Sequence, residues 1–288
     1  MMNMEATEEI VAASSAYKRL AVSAARKAGG YLKDNLHARH LVRFKGEIDI
    51  VTEADQQAES MIIAAIQGQY PDHDILAEES PATNNGSLYR WIIDPLDGTT
   101  NYAHGYPVFC VSIALEWEGI CILGVVFNPM LGEMFVAVKG QGAFLNDQSI
   151  AVSETTEISR SLLATGFPYD IRLTRENNMD HFEAMAVKAQ AIRRAGSAAL
   201  DLAYVAAGRF DGFWELKLKP WDTAAGCLLV QEAGGVVTDL HGEAFTLTVP
   251  HVVASNGRIH QQMLDILQNE RGCSNGEKQP VTPVPNSR

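Results

Sequence analysis

Several sequence features that would assign this chain to a common class are missing. There is no HExxH or HxH motif, and the four cysteines form no CxxC pair, which disfavours a zinc site and suits a reducing cytoplasm. No apolar run approaches the roughly 20 residues that a membrane helix needs. Lys and Arg number 23 against 35 Asp and Glu, giving a net charge of −12. That balance argues against a protein that binds nucleic-acid phosphates.

Motifs for covalent catalysis and nucleotide binding are missing as well. The sequence contains no GxSxG elbow and no GxxxxGK[ST] loop, and GQGAFL departs from GxGxxG at its last position. The N-terminus lacks a basic segment followed by an apolar one, so no secretory signal is predicted. With 47% hydrophobic residues, a globular cytoplasmic protein of enzyme size is expected.

The 288 residues are sufficient for one large domain or two intimate ones. Residues 1–13 and 272–288 are polar and aperiodic, and we predict that both are mobile tails. Residues 14–271 contain no linker, so they are predicted to form one compact unit, whose two halves, if present, would meet near 150–195.

Periodicity and turn chemistry predict helices alternating with blocks of strands. Helices are predicted over 17–32, 54–66, 197–207 and 222–233, and from a cap at Asn256 to Leu267. Strands are predicted over 75–77, 91–93, 162–167, 235–240 and 251–255, and in an antiparallel meander between 108 and 144. This order indicates a layered α/β or α+β sandwich.

The richest segment for chemistry runs from Trp91 to Tyr102. An apolar strand is expected to end at Asp94-Pro95, and Asp97-Gly98 follows. If a helix starts at Gly98, its free amides form a cradle for phosphate. A plain turn between two strands explains the same residues.

Four further acids have ordinary explanations when each is considered alone. Glu78 fits a solvated face, Asp49 a surface position, Asp55 a capping box with Thr52, and Asp222 a helix cap. Several of these acids, however, lie where a strand ends or a helix begins, which is where α/β proteins place ligand-binding groups. If they converge, they require a cation, and a set of oxygen donors favours Mg²⁺ over zinc.

Five motifs together resemble a known family, the Mg²⁺-dependent, lithium-sensitive inositol monophosphatases, and especially its bacterial members. They occur in order along nearly the whole chain: DIVTEAD (49–55), LAEES (76–80), WIIDPLDGTTNY (91–102), AGSAALDLAYVAAGRFDGFWE (195–215) and PWDTAAG (220–226). The resemblance implies an αβαβα sandwich, a homodimer, and hydrolysis of myo-inositol monophosphate by a metal-activated water with no covalent intermediate.

The resemblance also implies two or three Mg²⁺ per subunit. The first would be held by Glu78, Asp94 and the carbonyl of Leu96, and the second by Asp94, Asp97 and Asp222. Glu78 would also hold a weaker third ion and help to position the attacking water.

The remaining site residues follow from the same resemblance. Asp55 and Thr52 would orient the Thr99 hydroxyl and the water, Gly98 and Thr99 would receive the phosphate, and Lys45 would lie on a loop that closes over the site. The residues implied to contact the sugar alcohol are Asp97, Gly196, Ser197, Ala198 and Glu215.

Two other functions stay open. Thr100-Asn101-Tyr102, in place of charged residues, favours inositol phosphate over nucleotide substrates, but fructose-1,6-bisphosphate or a broader range of sugar phosphates is a strong alternative. Some bacterial relatives bind partners of the transcription machinery, so an interaction module with residual phosphatase activity is the second alternative. A small phosphate monoester is the expected partner, with no membrane and no direct nucleic-acid binding.

Overall fold

Residues 4–38, 42–44 and 50–269 are described by the structure, a computed structural model. The helices are α1 (Met4–Asn35), α2 (Glu53–Gln67), α3 (Thr99–Ala103), α4 (Met179–Ala186), α5 (Ala198–Ala206), α6 (Pro220–Glu232) and α7 (His260–Asn269). The strands are β1 (Val42–Phe44), β2 (Ile50–Thr52), β3 (Asp74–Ala77), β4 (Tyr89–Asp97), β5 (Cys110–Trp117), β6 (Ile120–Asn128), β7 (Glu133–Val138), β8 (Ala143–Leu145), β9 (Gln148–Ile150), β10 (Leu162–Thr165), β11 (Ala191–Arg193), β12 (Gly212–Glu215), β13 (Val236–Thr238) and β14 (Val252–Ser255).

Two mixed sheets form the frame. The larger has the order β3-β4-β5-β6-β7-β8-β9, with β3 parallel to β4 and every other pair antiparallel. The smaller has the order β11-β10-β12-β14-β13, with β10 parallel to both of its neighbours. The antiparallel meander predicted from the sequence is confirmed by β5, β6 and β7.

Three buried clusters divide the molecule into five layers. The first lies between α1, α2 and one face of the larger sheet, and the second between the two sheets, around α5 and α6. The third lies on the outer face of the smaller sheet, beneath α4 and α7. The layer order is therefore αβαβα, as expected.

Both faces of the larger sheet are buried, which explains its nearly continuous apolar strands. In β4, Trp91 and Ile93 point into the cluster with α1 and α2, whereas Ile92 points into the cluster with α5 and α6. The layer between the sheets depends on small residues. A Cβ on Gly124 would lie 2.7 Å from the carbonyl oxygen of Ala225, so α6 packs directly on the backbone of β6.

The structure differs from the sequence predictions at the ends of several elements. β4 continues through Asp94-Pro95 to Asp97, with a register shift between the two acids. α6 begins two residues before Asp222, and α1 begins at Met4, so residues 4–13 of the predicted tail lie in a helix. Residues 272–288 lie outside the described residues.

Several short elements were not predicted from the sequence. Among them are β1, β9, α4 and β11, and the segment between 179 and 193 that holds the last two has no clear periodicity. No helix among the described residues is both long enough and apolar enough to span a membrane.

Candidate active site

Four acids that are distant in sequence line one cavity of about 450 Å³. Glu78 follows β3, Asp94 and Asp97 lie at the end of β4, and Asp222 lies in the first turn of α6. Because β3 and β4 are parallel neighbours, their carboxyl ends meet at one sheet edge, where the Glu78 amide donates a hydrogen bond to the Ile93 carbonyl (3.2 Å). The predicted convergence of these acids is therefore present in the structure.

Asp94 is the most buried of the four acids, with 2% of its surface exposed. The register shift after it, at Pro95, turns the chain so that the Leu96 amide donates to Asp94 Oδ1 (3.0 Å). Burial, followed by the charges of Glu78, Asp97 and Asp222, raises the pKa of Asp94 well above its usual range.

The Asp97 side chain extends from the end of β4 to the N-terminus of α5, where the helix dipole favours negative charge. Its Oδ2 accepts hydrogen bonds from the Ala199 amide and the Ser197 hydroxyl, both at 2.7 Å. Ser197 occupies the N-cap position, as predicted, but its side chain binds Asp97 instead of its own helix. Burial raises the pKa of Asp97, and these hydrogen bonds counteract part of that shift.

Asp222 is the third residue of α6, and Lys219 is at the N-cap position. The Lys219 amide donates to Asp222 Oδ2 (2.7 Å), which holds the carboxylate at the positive end of the helix. Burial, followed by the charges of Asp97 and Glu78, raises its pKa well above the usual range.

The donor chemistry of these acids fits a hard cation. Among the described residues, no three His, Cys, Asp or Glu side chains are already arranged as a finished metal site. Asp94, Asp97 and Asp222 instead surround the cavity, each with one oxygen fixed by a backbone amide. Crowded carboxylates that raise one another's pKa, with only oxygen donors, suit Mg²⁺ better than zinc.

Thr52, Asp55 and Thr99 form a chain of hydrogen bonds beside the acids. Asp55 is buried, and its Oδ2 accepts from the amide (2.9 Å) and hydroxyl (2.6 Å) of Thr52 in the predicted capping box of α2. Its Oδ1 accepts from the Thr99 hydroxyl (2.9 Å), which also lies 3.0 Å from the Leu96 carbonyl. Burial raises the pKa of Asp55, and these hydrogen bonds lower it.

Gly98 is the N-cap residue of α3, so of the two alternatives left open by the sequence the helix start is the one present, and Gly98 lines the cavity with Thr99. Its φ of +101° is a left-handed conformation, and a Cβ would lie 2.9 Å from the Val108 carbonyl oxygen. The close approach of the two backbones therefore requires glycine here.

The residues implied to contact a sugar alcohol line the same cavity as the acids. They are Gly196, Ser197, Ala198 and Glu215. Glu215 ends β12 and lies over Gly166, where a Cβ would overlap with its carboxylate. Burial, followed by the charges of Asp222 and Asp97, raises the pKa of Glu215 well above the usual range.

Sequence reasoning missed two residues that fix the site loops. Glu59 is 2% exposed and accepts hydrogen bonds from the Glu79 amide (2.8 Å) and the Ser80 hydroxyl, next to Glu78. Its position four residues after Asp55, on the same face of α2, was the available signal. Asn101 donates from Nδ2 to the carbonyls of Val108 (2.7 Å) and Ala195 (2.8 Å), which ties α3 to the loop before α5.

Two charged residues named from the sequence cannot be located in this site, because they fall outside the described residues. They are Lys45, implied to lie on a closing loop, and Asp49, from the first motif.

Comparisons with known proteins identify the family of the chain. A model of the inositol monophosphatase family matches residues 14–271. An inositol-1-monophosphatase from Synechocystis is 48% identical over 220 residues, covering 76% of this chain and 77% of that protein. The Nus factor SuhB of Pseudomonas aeruginosa is 43% identical over 256 residues, covering 86% of this chain and 94% of that protein.

A solved structure shares the fold as well. The inositol monophosphatase from Anabaena aligns with a TM-score of 0.81 and 43% identity, over 88% of this chain and 95% of that one. The chain belongs to the inositol monophosphatase family.

Proposed function

We propose that this protein is a Mg²⁺-dependent phosphatase that hydrolyses a phosphate monoester of a polyol, with myo-inositol monophosphate as its preferred substrate. The observation that carries the proposal is the convergence of Glu78, Asp94, Asp97 and Asp222 on one cavity beside the Thr99–Asp55 pair. As in the family, we also expect a homodimer and inhibition by lithium.

The acids divide into two overlapping ligand sets. Glu78, Asp94 and the Leu96 carbonyl would hold one Mg²⁺, Asp94, Asp97 and Asp222 a second, and Glu78 a weaker third. When bound, Mg²⁺ supplies positive charge for the phosphate oxygens and makes water more acidic. The −12 charge of the chain makes this local reversal of sign necessary for binding an anion.

Thr99 and Asp55 would orient the water that attacks phosphorus. Asp55 is the stronger acceptor for the Thr99 proton, because a charged oxygen accepts more strongly than the Leu96 carbonyl. The lone pairs of Thr99 Oγ1 then face the cavity and accept a hydrogen bond from water. As the water forms its bond to phosphorus, its proton passes to Thr99 Oγ1 and the Thr99 proton to Asp55 Oδ1. The P–O bond to the alcohol breaks, and the leaving alkoxide takes a proton from a second water.

The amides of Gly98 and Thr99, at the start of α3, would receive the phosphate oxygens. Glu215, Ser197 and the backbone of Gly196 and Ala198 would bind the alcohol. The substrate would then fill the cavity with its scissile bond near the acids.

A substrate panel tests the proposal. Phosphate release is measured at fixed Mg²⁺ with inositol 1-phosphate, fructose 1,6-bisphosphate and other sugar phosphates, with and without a chelator. We expect inositol 1-phosphate to have the highest kcat/KM and the chelator to abolish release. Faster turnover of fructose 1,6-bisphosphate would make that ester the preferred substrate. Phosphate release that is insensitive to the chelator would refute the metal requirement.

A second function is favoured by the names of the relatives, which divide at similar identity between inositol-1-monophosphatase and Nus factor SuhB. We propose that this chain also binds a component of the transcription machinery. Asp94→Asn separates the two roles, because it removes a ligand to both proposed ions. We expect phosphatase activity to fall by at least about 100-fold, while capture of transcription proteins is unchanged. Failure of the wild type to bind any of them refutes this second role.

A further inference from the structure

One acid of the cavity, Asp201, has no part in the proposed metal site or among the residues implied to contact the alcohol. Asp201 lies on α5, one turn after the helix begins, and lines the cavity with Glu215. Only 1% of its surface is exposed, and no hydrogen bond from the described residues reaches its buried Oδ1. The family resemblance assigned no role to this residue.

A buried carboxylate oxygen without a hydrogen-bond partner is rare, because leaving it unpaired costs stability. The surroundings of Asp201 increase the free-energy cost of burying its charge. Burial, followed by the charges of Glu215 and Asp97, raises its pKa well above the usual range, and Arg194 offsets this only in part. Arg194 is exposed, and no ion pair among the described residues joins it to Asp201.

The position of Asp201 indicates what would complete its hydrogen bonding. The metal ligands and the Gly98–Thr99 amides line this cavity, where a phosphate group would bind. Asp201 and Glu215 line it too, and their charges interact. Asp201 lies on α5, the helix that begins at Ser197 and Ala198, two of the residues implied to contact the alcohol part of the ester. The positive charge of the proposed Mg²⁺ ions would favour the ionised form of both acids. Two neighbouring ionised carboxylates accept hydrogen bonds and donate none, so they match a ligand that presents adjacent hydroxyl groups.

We propose that Asp201 pairs with Glu215 to accept hydrogen bonds from ring hydroxyls of the substrate, and so selects polyhydroxylated phosphate esters over plain alkyl esters. This inference rests on the proposed phosphatase function. The free-energy cost of burying an unpaired acid is then the stability that the protein gives up for specificity.

The test compares two esters that differ only in ring hydroxyls, inositol 1-phosphate and cyclohexyl phosphate. Asp201→Asn keeps the size of the side chain and removes one charged acceptor. We expect kcat/KM for inositol 1-phosphate to fall by about tenfold or more, chiefly through KM, as for loss of a hydrogen bond to a charged group. For cyclohexyl phosphate it should stay within about twofold, because that ester has no hydroxyl to bind.

Thermal unfolding distinguishes substrate binding from a structural role. Since Asp201→Asn removes a buried acid with an unpaired oxygen, we expect Tm to stay the same or rise. A fall in Tm with equal losses for both esters would indicate a structural residue and overturn the inference. Asp147→Asn is the matched control, because Asp147 is exposed in a turn with φ +64°, which asparagine tolerates.

The remaining outcomes separate this inference from the proposed function. If the wild type hydrolyses both esters and Asp201→Asn leaves their ratio unchanged, the hydroxyl subsite is wrong and the phosphatase stands. If the wild type hydrolyses neither these two esters nor any other ester of the substrate panel at any Mg²⁺ concentration, the phosphatase proposal fails, and this inference fails with it.

Discussion

The Thr99 hydroxyl donates a hydrogen bond to Asp55 Oδ1 at 2.9 Å, across 44 residues of sequence. The same carboxylate caps α2 through the amide and hydroxyl of Thr52. One side chain therefore fixes the start of a helix and orients a hydroxyl at the cavity. Because the cap already fixes Oδ2, the direction of Oδ1 toward Thr99 is set before any ligand binds.

Replacing the Thr99 hydroxyl tests its role in orienting water. Thr99→Val keeps the shape and removes the proton donor, so we expect kcat to fall by about 100-fold or more, in the range of general acid–base catalysis. Thr99→Ser keeps the hydroxyl and should remain within about tenfold of the wild type. Initial rates at saturating Mg²⁺ measure both. A Thr99→Val enzyme with more than about a tenth of the wild-type kcat would contradict the role.

Local patterns predicted the elements that hold the site. The Thr52–Asp55 capping box and the apolar run Trp91–Ile93 depend on residues within a few positions of one another. Such signals can be read directly from a sequence. The same local signals left the start of α3 open against a plain turn. The positions of the acids at strand ends and helix starts suggested that they converge, and the resemblance to a family specified how.

Long-range contacts explain where the local rules failed. Ser197 is a residue type that often caps a helix, but its hydroxyl binds Asp97, one hundred residues earlier in the chain. Proline was expected to end β4, yet the strand resumes pairing at Asp97 because the register shift leaves Pro95 outside the regular ladder. Glu59 and Asp201 owe their roles to neighbours that only the folded chain provides.

The stability of the metal-free protein should depend on pH through Asp94. Its pKa is raised in the folded state from the ordinary 3.8, so the folded protein binds this proton more tightly than the unfolded chain. Stability is therefore lost as pH rises above about 4 toward the raised pKa. Asp94→Asn removes this cost, so its Tm minus the wild-type Tm should grow between about pH 5 and pH 7.5.

Calorimetry in the presence of a chelator measures this difference, and Mg²⁺ supplies the control. An ion that binds only the folded wild type should raise its Tm at neutral pH and have less effect on Asp94→Asn. A Tm difference that does not change with pH would contradict the assignment of the cost to Asp94.

Glu59 is expected to control metal affinity through the loop that carries Glu78. Glu59→Leu removes both acceptors for Glu79 and Ser80, and we expect the half-saturating Mg²⁺ concentration to rise about 10-fold, as for other residues that orient ligands. Glu59→Gln should stay near the wild type, because its Oε1 still accepts from the Glu79 amide and the Ser80 hydroxyl can turn to accept from Nε2. Mg²⁺ titrations of activity measure both variants.

The exposed neighbour Gln57 provides the control for substitution in α2. Gln57→Leu should leave the Mg²⁺ requirement unchanged. If Glu59→Leu has the same requirement as Gln57→Leu, Glu59 does not position the loop.

A substitution at Gly166 tests whether Glu215 binds the alcohol, without changing an acid. In Gly166→Ala the new Cβ overlaps with the Glu215 carboxylate, and the end of that flexible side chain must move. Because the φ of Gly166 is not in the left-handed region, the substitution adds no backbone strain. We expect KM for inositol 1-phosphate to rise by about tenfold, the cost of losing a hydrogen bond to a charged group, with a smaller change in kcat.

Gly30→Ala is the matched control, because a Cβ on this residue of α1 meets nothing within 4 Å. It should stabilise the helix by up to about 1 kcal/mol without affecting KM. An unchanged KM in Gly166→Ala would mean that Glu215 does not bind the alcohol.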